Sequence, residues 1–226
     1  MIKYLQKLNL YLKYFIFKKV SSEIFVFNLK IDIDKIKNFL ELKNTLDRKN
    51  FIWDGNWDEK KIDLSKYRNH SVSYNSIFQI YAENKDFKEC EEYKKKAELI
   101  MNGKKTTRAN NMFELDNYFQ SLESLKNNLD KYGYKSQMEL QNDNKKNDEI
   151  GVVIDRYGEI IKLEDKFGGT HRFALCKILG IKKITVSIKA IHKSLIKEEI
   201  IKKIINENDK YQMEFMIKKV IDSYYI

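Results

Sequence analysis

A glycine pair at the start of an amphipathic helix constrains this chain more than any other feature of its sequence. Gly168 and Gly169 are followed directly by Thr170, His171 and Arg172. Two glycines allow a tight turn that brings backbone N–H groups close to a ligand, and a helix N-terminus adds unpaired donors and partial positive charge. The Arg guanidinium and the His ring supply further donors. The segment therefore predicts a turn that binds phosphate.

The residues around this turn resemble a known domain family. Residues 151–165 are predicted to form a strand, a turn and a strand, and residues 184–188 form a further strand after the helix. This order is similar to that of the ParB/sulfiredoxin-like domain, over residues 122–192. The run Phe167-Gly-Gly-Thr-His-Arg-Phe-Ala174 is close to the sulfiredoxin signature Phe-Gly-Gly-Cys-His-Arg-Tyr-Ala. The resemblance implies an α+β fold, with a small mixed-sheet module and helical additions on both sides.

The chain departs from sulfiredoxins at their nucleophile. Thr170 stands where those enzymes carry the catalytic Cys, and a Thr hydroxyl is a far weaker nucleophile than a thiolate unless a base lies beside it. Cys176 lies inside the predicted helix and Cys90 belongs to another segment, so neither replaces the missing thiol. We therefore expect no sulfinic-acid reductase activity.

The resemblance implies that a nucleotide-phosphate site remains. Other branches of the superfamily bind CTP in chromosome-partition proteins, or transfer phosphate from ATP or ADP to free serine. We therefore expect this chain to bind ATP or another nucleotide together with Mg²⁺ and to transfer phosphate to a small hydroxyl-bearing acceptor. In this interpretation Gly168, Gly169, Thr170, His171 and Arg172 hold the phosphates.

Carboxylates near the glycine turn are the candidates for the remaining chemistry. Glu164 and Asp165 enter the turn, and a carboxylate beside a phosphate site can hold Mg²⁺ or take a proton from an incoming hydroxyl. Asp165 is the candidate metal ligand, and either residue is a candidate base. The alternative is that both residues only cap or solvate the loop. Glu139, where the chain enters the module, is a further candidate for the base.

A non-catalytic module that binds a nucleotide or nucleic acid is the alternative function. The formal net charge of +10 favours phosphorylated or nucleic-acid partners. However, the lysines are spread evenly along the chain, which is typical of solvated faces. A partition protein would carry a helix-turn-helix after the nucleotide domain, whereas the two helices predicted after His192 have no tight glycine turn between them.

The apolar periodicity divides the chain into three regions. Residues 1–132 are predicted to be mainly helical, residues 133–192 to form the ParB/sulfiredoxin-like module, and residues 193–226 to form C-terminal helices. The polar run at 141–149 is predicted to be a solvated loop. Strands are predicted at 23–33 and 150–155, and helices within 1–20 and at 36–43, 76–82, 87–101, 110–131, 195–206 and 211–225.

The segment Trp53-Asp-Gly-Asn-Trp-Asp58 is a second notable motif. The central Gly-Asn predicts a tight turn, and its carboxylates could contact a metal, a sugar or an amine beside a flat indole. The alternative is an Asx-type turn whose two tryptophans pack into the core, since large aromatic side chains usually act by burial.

Composition limits the class of protein and its compartment. Hydrophobic residues make up 42% of the chain and charged residues 34%, which is typical of soluble globular proteins. Two cysteines without a Cys-x-x-Cys motif indicate a reducing compartment, and we expect a cytoplasmic protein. The apolar stretch at residues 14–17 is too short to span a bilayer. His70 and His192 are expected to be surface or capping histidines.

Overall fold

The structure, a computed structural model, describes residues 27–41, 51–141, 148–164, 168–196 and 210–225. Within these ranges the protein has an α+β fold, in which helices pack against a mixed parallel and antiparallel sheet. The expected fold class is therefore confirmed.

The sheet combines strands from both ends of the described chain. Its order is β1-β7-β5-β6-β2-β4, and β3 pairs with the end of β7. The pairs β2/β6, β5/β7 and β3/β7 are parallel, while the others are antiparallel. Strands from both sides of Gly133, where we placed a domain boundary, thus share one sheet. The strands are β1 (Phe27–Asp32), β2 (Asn38–Glu41), β3 (Ile52–Trp53), β4 (Ile62–Asp63), β5 (Ile150–Ile154), β6 (Ile160–Glu164) and β7 (Lys183–His192).

The helices follow the expected amphipathic pattern, and local caps define where they begin. Asn111 caps α4 by accepting a hydrogen bond from the Glu114 N–H at 2.8 Å, and the Glu114 carboxylate accepts one from the Asn110 N–H at 2.7 Å. Ser71 caps α2 in the same way through the Tyr74 N–H. The helices are α1 (Tyr67–His70), α2 (Val72–Tyr81), α3 (Glu91–Met101), α4 (Met112–Tyr132), α5 (Thr170–Ile178) and α6 (Lys210–Tyr225).

The two faces of the sheet carry different cores. Helices α2 to α5 cover one face, where side chains such as Ile150, Val152 and Phe173 join a large apolar cluster. A smaller cluster covers the opposite face; its members are Leu40, Trp53, Trp57, Val153, Ile161, Leu163 and Ala190. The pairing of β5 with β7 has a register shift between Val152 and Val153: Val152 lies opposite Ile188 and Val153 lies opposite Ala190. The alternation of β7 side chains between the two faces of the sheet therefore changes at this point.

Most predicted elements are confirmed, with one correction. The helix predicted at 36–43 is wrong, because residues 38–41 form β2 beside β6. Residues 87–89 form a 3₁₀ turn, so that α3 begins at Glu91. The expected N-terminal helix, most of the loop at 141–149 and most of the helix at 195–206 lie outside the described residues. Among the described helices, none is long and apolar enough to cross a membrane.

The Trp53–Asp58 segment packs against the face of the sheet away from the helices. Trp53 and Trp57 are each 5% exposed, with ring centroids 5.3 Å apart in an edge-to-face arrangement. Buried Asp58 accepts hydrogen bonds from the Arg156 guanidinium at 2.6 and 2.7 Å, while Asp54 pairs with Lys193 at the surface. The burial expected for the two tryptophans is therefore confirmed.

Candidate functional site

The glycine turn lies directly against strand β5. Gly169 has φ +62° and ψ +35°, a left-handed conformation that glycine adopts without strain. A Cβ atom at this position would lie 3.1 Å from the Ile150 Cα. The Gly168 carbonyl accepts a hydrogen bond from the Gly151 N–H at 3.2 Å. Glycine at residue 169 therefore allows the start of α5 to lie closer to the sheet than a residue with a side chain would.

The N-terminus of α5 is left open by this turn. Gly169 is the N-cap residue, and no side chain of the described residues caps the helix. The first N–H bonded back to the turn is that of Phe173, which donates to the Gly169 carbonyl at 3.0 Å. The N–H groups of residues 170–172 precede it, so they are the unpaired donors expected of a helix start. Helix starts with unpaired N–H groups are places where proteins commonly bind anions.

The open helix terminus faces a cavity of about 530 Å³. Gly169, Thr170, His171 and Arg172 form one wall, and Glu164 contributes to it from the end of β6. The other walls come from α3, from the loop between α3 and α4, and from α4, through Glu92, Lys96, Arg108, Tyr118 and Ser121 among others. This volume lies within the range of cavities that hold ligands of nucleotide size, about 300–1,000 Å³.

Glu164 is held beside the glycine turn by three hydroxyl groups. Its carboxylate accepts hydrogen bonds from the Ser71 hydroxyl at 2.7 Å, from the Thr170 hydroxyl at 2.9 Å, and from the Tyr67 phenol. Burial raises the pKa of Tyr67 well above its usual value, and the negative charge of Glu164 raises it further. The phenol therefore stays protonated, and Glu164 accepts from it.

His171 has protein partners on both ring nitrogens. Nε2 lies 2.7 Å from the Glu92 carboxylate and Nδ1 lies 3.1 Å from the Tyr118 hydroxyl. Burial would raise the pKa of Glu92, but the hydrogen bond and charge of His171, with the charge of Lys96, outweigh it and lower that pKa to about 2. The ionised Glu92 carboxylate accepts a hydrogen bond from Nε2, and Nδ1 faces the Tyr118 hydroxyl. Contact between this ring and a ligand therefore requires one partner to be exchanged.

Arg172 joins α5 to the start of β5. Its guanidinium donates to the Asp148 carbonyl at 2.6 Å and to the Glu149 carboxylate at 3.4 Å. Glu149 is fully buried and also accepts from the Gln137 N–H at 2.6 Å and from the Tyr134 hydroxyl at 2.5 Å. The Arg172 side chain is thus fixed in place, with about a sixth of its surface exposed toward the cavity.

The structure brings most of the predicted site residues together. Gly169, Thr170, His171, Arg172 and Glu164 all line the cavity, and Gly168 supports the turn from behind. Glu139 lies elsewhere, since its carboxylate accepts from the Ser136 N–H at 2.7 Å and does not line the cavity. Asp165 lies outside the described residues.

The residues opposite the glycine turn were missed by sequence reasoning. Glu92, Arg108 and Tyr118 precede His171 by 53 to 79 residues, and only the packing of α3 and α4 against α5 brings them close. One signal was present in the sequence. Glu92 is a carboxylate directly before Tyr93 and five residues before Ala97, both of which lie on the buried face of α3.

Comparison of the chain with protein-family models, with curated proteins and with solved structures finds no match. We therefore infer the function from the geometry and chemistry of the cavity.

Proposed function

We propose that this protein binds the phosphates of a nucleotide in the cavity and transfers phosphate to a small hydroxyl-bearing acceptor. The observation that carries this proposal is the uncapped N-terminus of α5, which faces a cavity of about 530 Å³. Lys96, Arg108 and Arg172 on the cavity wall add positive charge. The resemblance of residues 122–192 to the ParB/sulfiredoxin-like domain supports the same function.

Phosphate binding follows from the donors around the glycine turn. The open N–H groups of residues 170–172 point out of the helix start and favour an anion through the helix dipole. Arg172 is pre-positioned by Asp148 and Glu149, so a phosphate oxygen would meet a guanidinium that is already ordered. Such charge-assisted hydrogen bonds contribute roughly 1.5–3 kcal/mol each.

Glu164 is the proposed base for phosphate transfer. The acceptor hydroxyl would replace the Ser71 or Thr170 hydroxyl as a donor to its carboxylate. The acceptor oxygen then attacks the terminal phosphorus, its proton passes to Glu164, and the bond between that phosphorus and the leaving diphosphate oxygen breaks.

Mg²⁺ would enter with the nucleotide. In the described ranges, no group of three or more His, Cys, Asp or Glu side chains could hold a metal ion. Magnesium keeps several water ligands and takes others from substrate phosphates, so a single carboxylate is sufficient protein contact. The candidate for that contact is Asp165, which lies outside the described residues. The two cysteines are free and buried, which suits the proposed cytoplasmic setting.

A second candidate function is a module that binds a nucleotide or nucleic acid without catalysis. The specific observation in its favour is that Glu164 already accepts hydrogen bonds from three hydroxyl groups. These donors already occupy both carboxylate oxygens, so an acceptor hydroxyl would have to displace one of them. In this case Glu164 only positions Thr170 at the start of α5.

Isothermal titration with ATP, ADP and CTP in the presence of Mg²⁺ tests binding. Lys96→Met should weaken nucleotide binding by on the order of tenfold, because one charge-assisted contact is lost. Lys95→Met is the matched control, since Lys95 is the neighbouring residue on α3, pairs with Glu91 and does not line the cavity. If the wild-type protein binds none of these nucleotides, it is neither a nucleotide-dependent phosphotransferase nor a nucleotide-binding module.

Turnover separates the two candidates. With a panel of small hydroxyl acceptors that includes free serine, Glu164→Gln should abolish phosphate transfer and leave the nucleotide Kd within a few fold, since a base acts in the transition state. Nucleotide binding without turnover on any acceptor favours the non-catalytic module. If the partner is duplex DNA, binding should weaken with salt at a log–log slope of about −0.9 per phosphate contacted.

A further inference from the structure

The loop between α3 and α4 presents Arg108 to the cavity on a fixed turn. Residues 106–109, which we call the arginine turn, are closed by three hydrogen bonds. The Ala109 carbonyl accepts from the Thr106 N–H at 3.0 Å and from the Thr106 hydroxyl at 2.8 Å, and the Ala109 N–H donates to that hydroxyl at 3.0 Å. Ala109 is 2% exposed, so it anchors the turn in the core. Thr107 and Arg108 form its tip and line the cavity.

The next residues fix the orientation of the arginine turn. Asn110 donates its N–H to the Glu114 carboxylate at 2.7 Å and its side-chain amide to the same oxygen at 3.0 Å. Asn111 caps α4. The backbone that carries Arg108 is therefore attached to the first turn of a 21-residue helix.

Arg108 differs from the other cations on the cavity wall. Lys96 and His171 pair with Glu92 at 3.2 and 2.7 Å, and Arg172 pairs with Glu149 at 3.4 Å. Among the described residues, the Arg108 guanidinium has no hydrogen-bond or ion-pair partner, and only its backbone N–H is bonded, to the Thr106 hydroxyl. The turn is thus held firmly while its charged tip is available.

The free guanidinium lies on the Tyr118 side of the cavity. Burial raises the pKa of Tyr118, as does the charge of Glu92, and the positive charge of Arg108 opposes that rise. The Tyr118 hydroxyl itself lies 3.1 Å from His171, the second residue of α5. Arg108 and the N-terminus of α5 therefore belong to different elements that line the same cavity. Tyr118 connects them, since it lies near Arg108 and contacts His171.

We propose that Arg108 is a specificity-determining residue that binds a second oxyanion of the ligands, in addition to the phosphate at the start of α5. A guanidinium offers a planar fork of donors that matches a carboxylate or a phosphate. A fixed turn reduces the ordering that binding must impose. The inference rests on the proposed function and refines it: the second oxyanion is either the terminal phosphate of the nucleotide or a carboxylate of the acceptor.

Titration calorimetry on the full chain distinguishes the two sources. The proteins are wild type, Arg108→Met, Arg108→Lys, and the control Lys105→Met, which removes an exposed charge of the same loop away from the cavity. If Arg108 binds the terminal phosphate, Arg108→Met should weaken ATP binding by on the order of tenfold and leave AMP binding unchanged. Arg108→Lys should recover little of the loss, because the fork is absent.

If Arg108 binds the acceptor, the pattern changes. The ATP Kd then stays at the wild-type value in Arg108→Met, while the KM for a carboxylate-bearing acceptor such as serine rises on the order of tenfold. The KM for the amide of the same acceptor should be unaffected by the substitution. All four proteins should melt at the same temperature, since the arginine turn is closed by Thr106 and Ala109.

The inference is wrong if Arg108→Met binds ATP and uses the carboxylate-bearing acceptor as the wild type does. Failure of the proposed function gives a different result. If wild-type protein binds no nucleotide, tripolyphosphate and malonate are titrated instead. If Arg108→Met binds either anion more weakly than the wild type, Arg108 still forms an oxyanion site, although the ligand is not a nucleotide. If neither anion binds, or if both proteins bind equally well, the inference about Arg108 is also wrong.

Discussion

Glu92 is the residue on which the charge balance of the cavity depends. It is 4% exposed, yet it stays ionised because His171 donates to it and Lys96 pairs with it. Burial favours the protonated form, and these two partners reverse that preference and bring the pKa to about 2. The ionised carboxylate in turn fixes the His171 ring at the start of α5.

The charge of Glu92 should make stability depend on pH in a defined direction. The pKa of Glu92 is lower in the folded protein than in the unfolded chain, so its contribution is complete above about pH 4.5 and is lost as the pH falls toward 2. The difference in free energy of unfolding between wild type and Glu92→Gln should therefore be constant from pH 7 to about 5. It should then shrink by roughly 2–3 kcal/mol toward pH 2.

Urea denaturation at several pH values measures this difference. Glu91→Gln is the matched control on the same helix, because Glu91 is partly exposed, pairs with Lys95 across one helical turn and does not line the cavity. Exposed pairs of this kind contribute less than about 1 kcal/mol. A difference between wild type and Glu92→Gln that stays constant down to pH 3 would contradict the role assigned to Glu92.

At the residue scale, the sequence predicted one half of the cavity. Gly168 to Arg172 stand together in the chain, and their residue types alone indicate an anion site. Tyr67 contacts Thr170 and Glu164 from about 100 residues away, and Arg108 carries no local signal that distinguishes it from other surface arginines. Partners of this kind are set by tertiary packing and not by spacing.

At the element scale, α5 has a left-handed glycine at each end. Gly169 precedes it with φ +62°, and Gly180 follows it with φ +67°. A Cβ at Gly180 meets nothing within 4 Å, whereas one at Gly169 would lie 3.1 Å from the Ile150 Cα. A side chain at either position would strain the backbone, because both residues have a left-handed conformation. Only at Gly169 would the side chain also come too close to another backbone segment.

The paired substitutions separate these two costs. Gly180→Ala should lower the free energy of unfolding by about 1–2 kcal/mol, the cost of a side chain in the left-handed region. Gly169→Ala should cost a further 1–3 kcal/mol, roughly, because β5 and the turn must move apart. Urea denaturation measures both values. Equal losses would show that the turn does not depend on its approach to β5.

The one element assigned wrongly shows the limit of periodicity. Ile36, Phe39, Leu40 and Lys43 have helical spacing, but residues 38–41 are a short buried strand. Four residues are too few for the alternation of a strand to stand out from helical spacing. The parallel partner of β2 is β6, which is about 120 residues away, so the pairing that decides the structure is invisible in the local sequence.

At the scale of the whole molecule, the predicted module at 133–192 supplies only the middle of the sheet. Its strands β5, β6 and β7 lie between β1 on one side and β2 on the other. Without residues 27–63, the edges of β6 and β7 would be unpaired, and open strand edges promote aggregation. The module therefore depends on the segment that precedes it.

We expect residues 133–192 alone to be unfolded in solution. Far-UV circular dichroism of this fragment should lack the signal of the full chain, and the full chain should unfold in a single urea transition by circular dichroism and fluorescence. A folded fragment, or two separate transitions in the full chain, would show instead that the boundary near Gly133 divides independent domains.

The position of the Trp53–Asp58 segment determines what tryptophan fluorescence reports. Trp53 and Trp57 are the two tryptophans of the chain, and both lie on the face of the sheet opposite the helices and the cavity. Their emission therefore reports on the apolar cluster that packs against this face of β5, β6 and β7. The indoles become exposed to solvent only when the sheet unfolds. A ligand that enters between α3, α4 and α5 changes the environment of tyrosines such as Tyr118 and leaves both indoles where they are. Tryptophan emission should thus report the unfolding of this protein and should not respond to occupancy of the cavity.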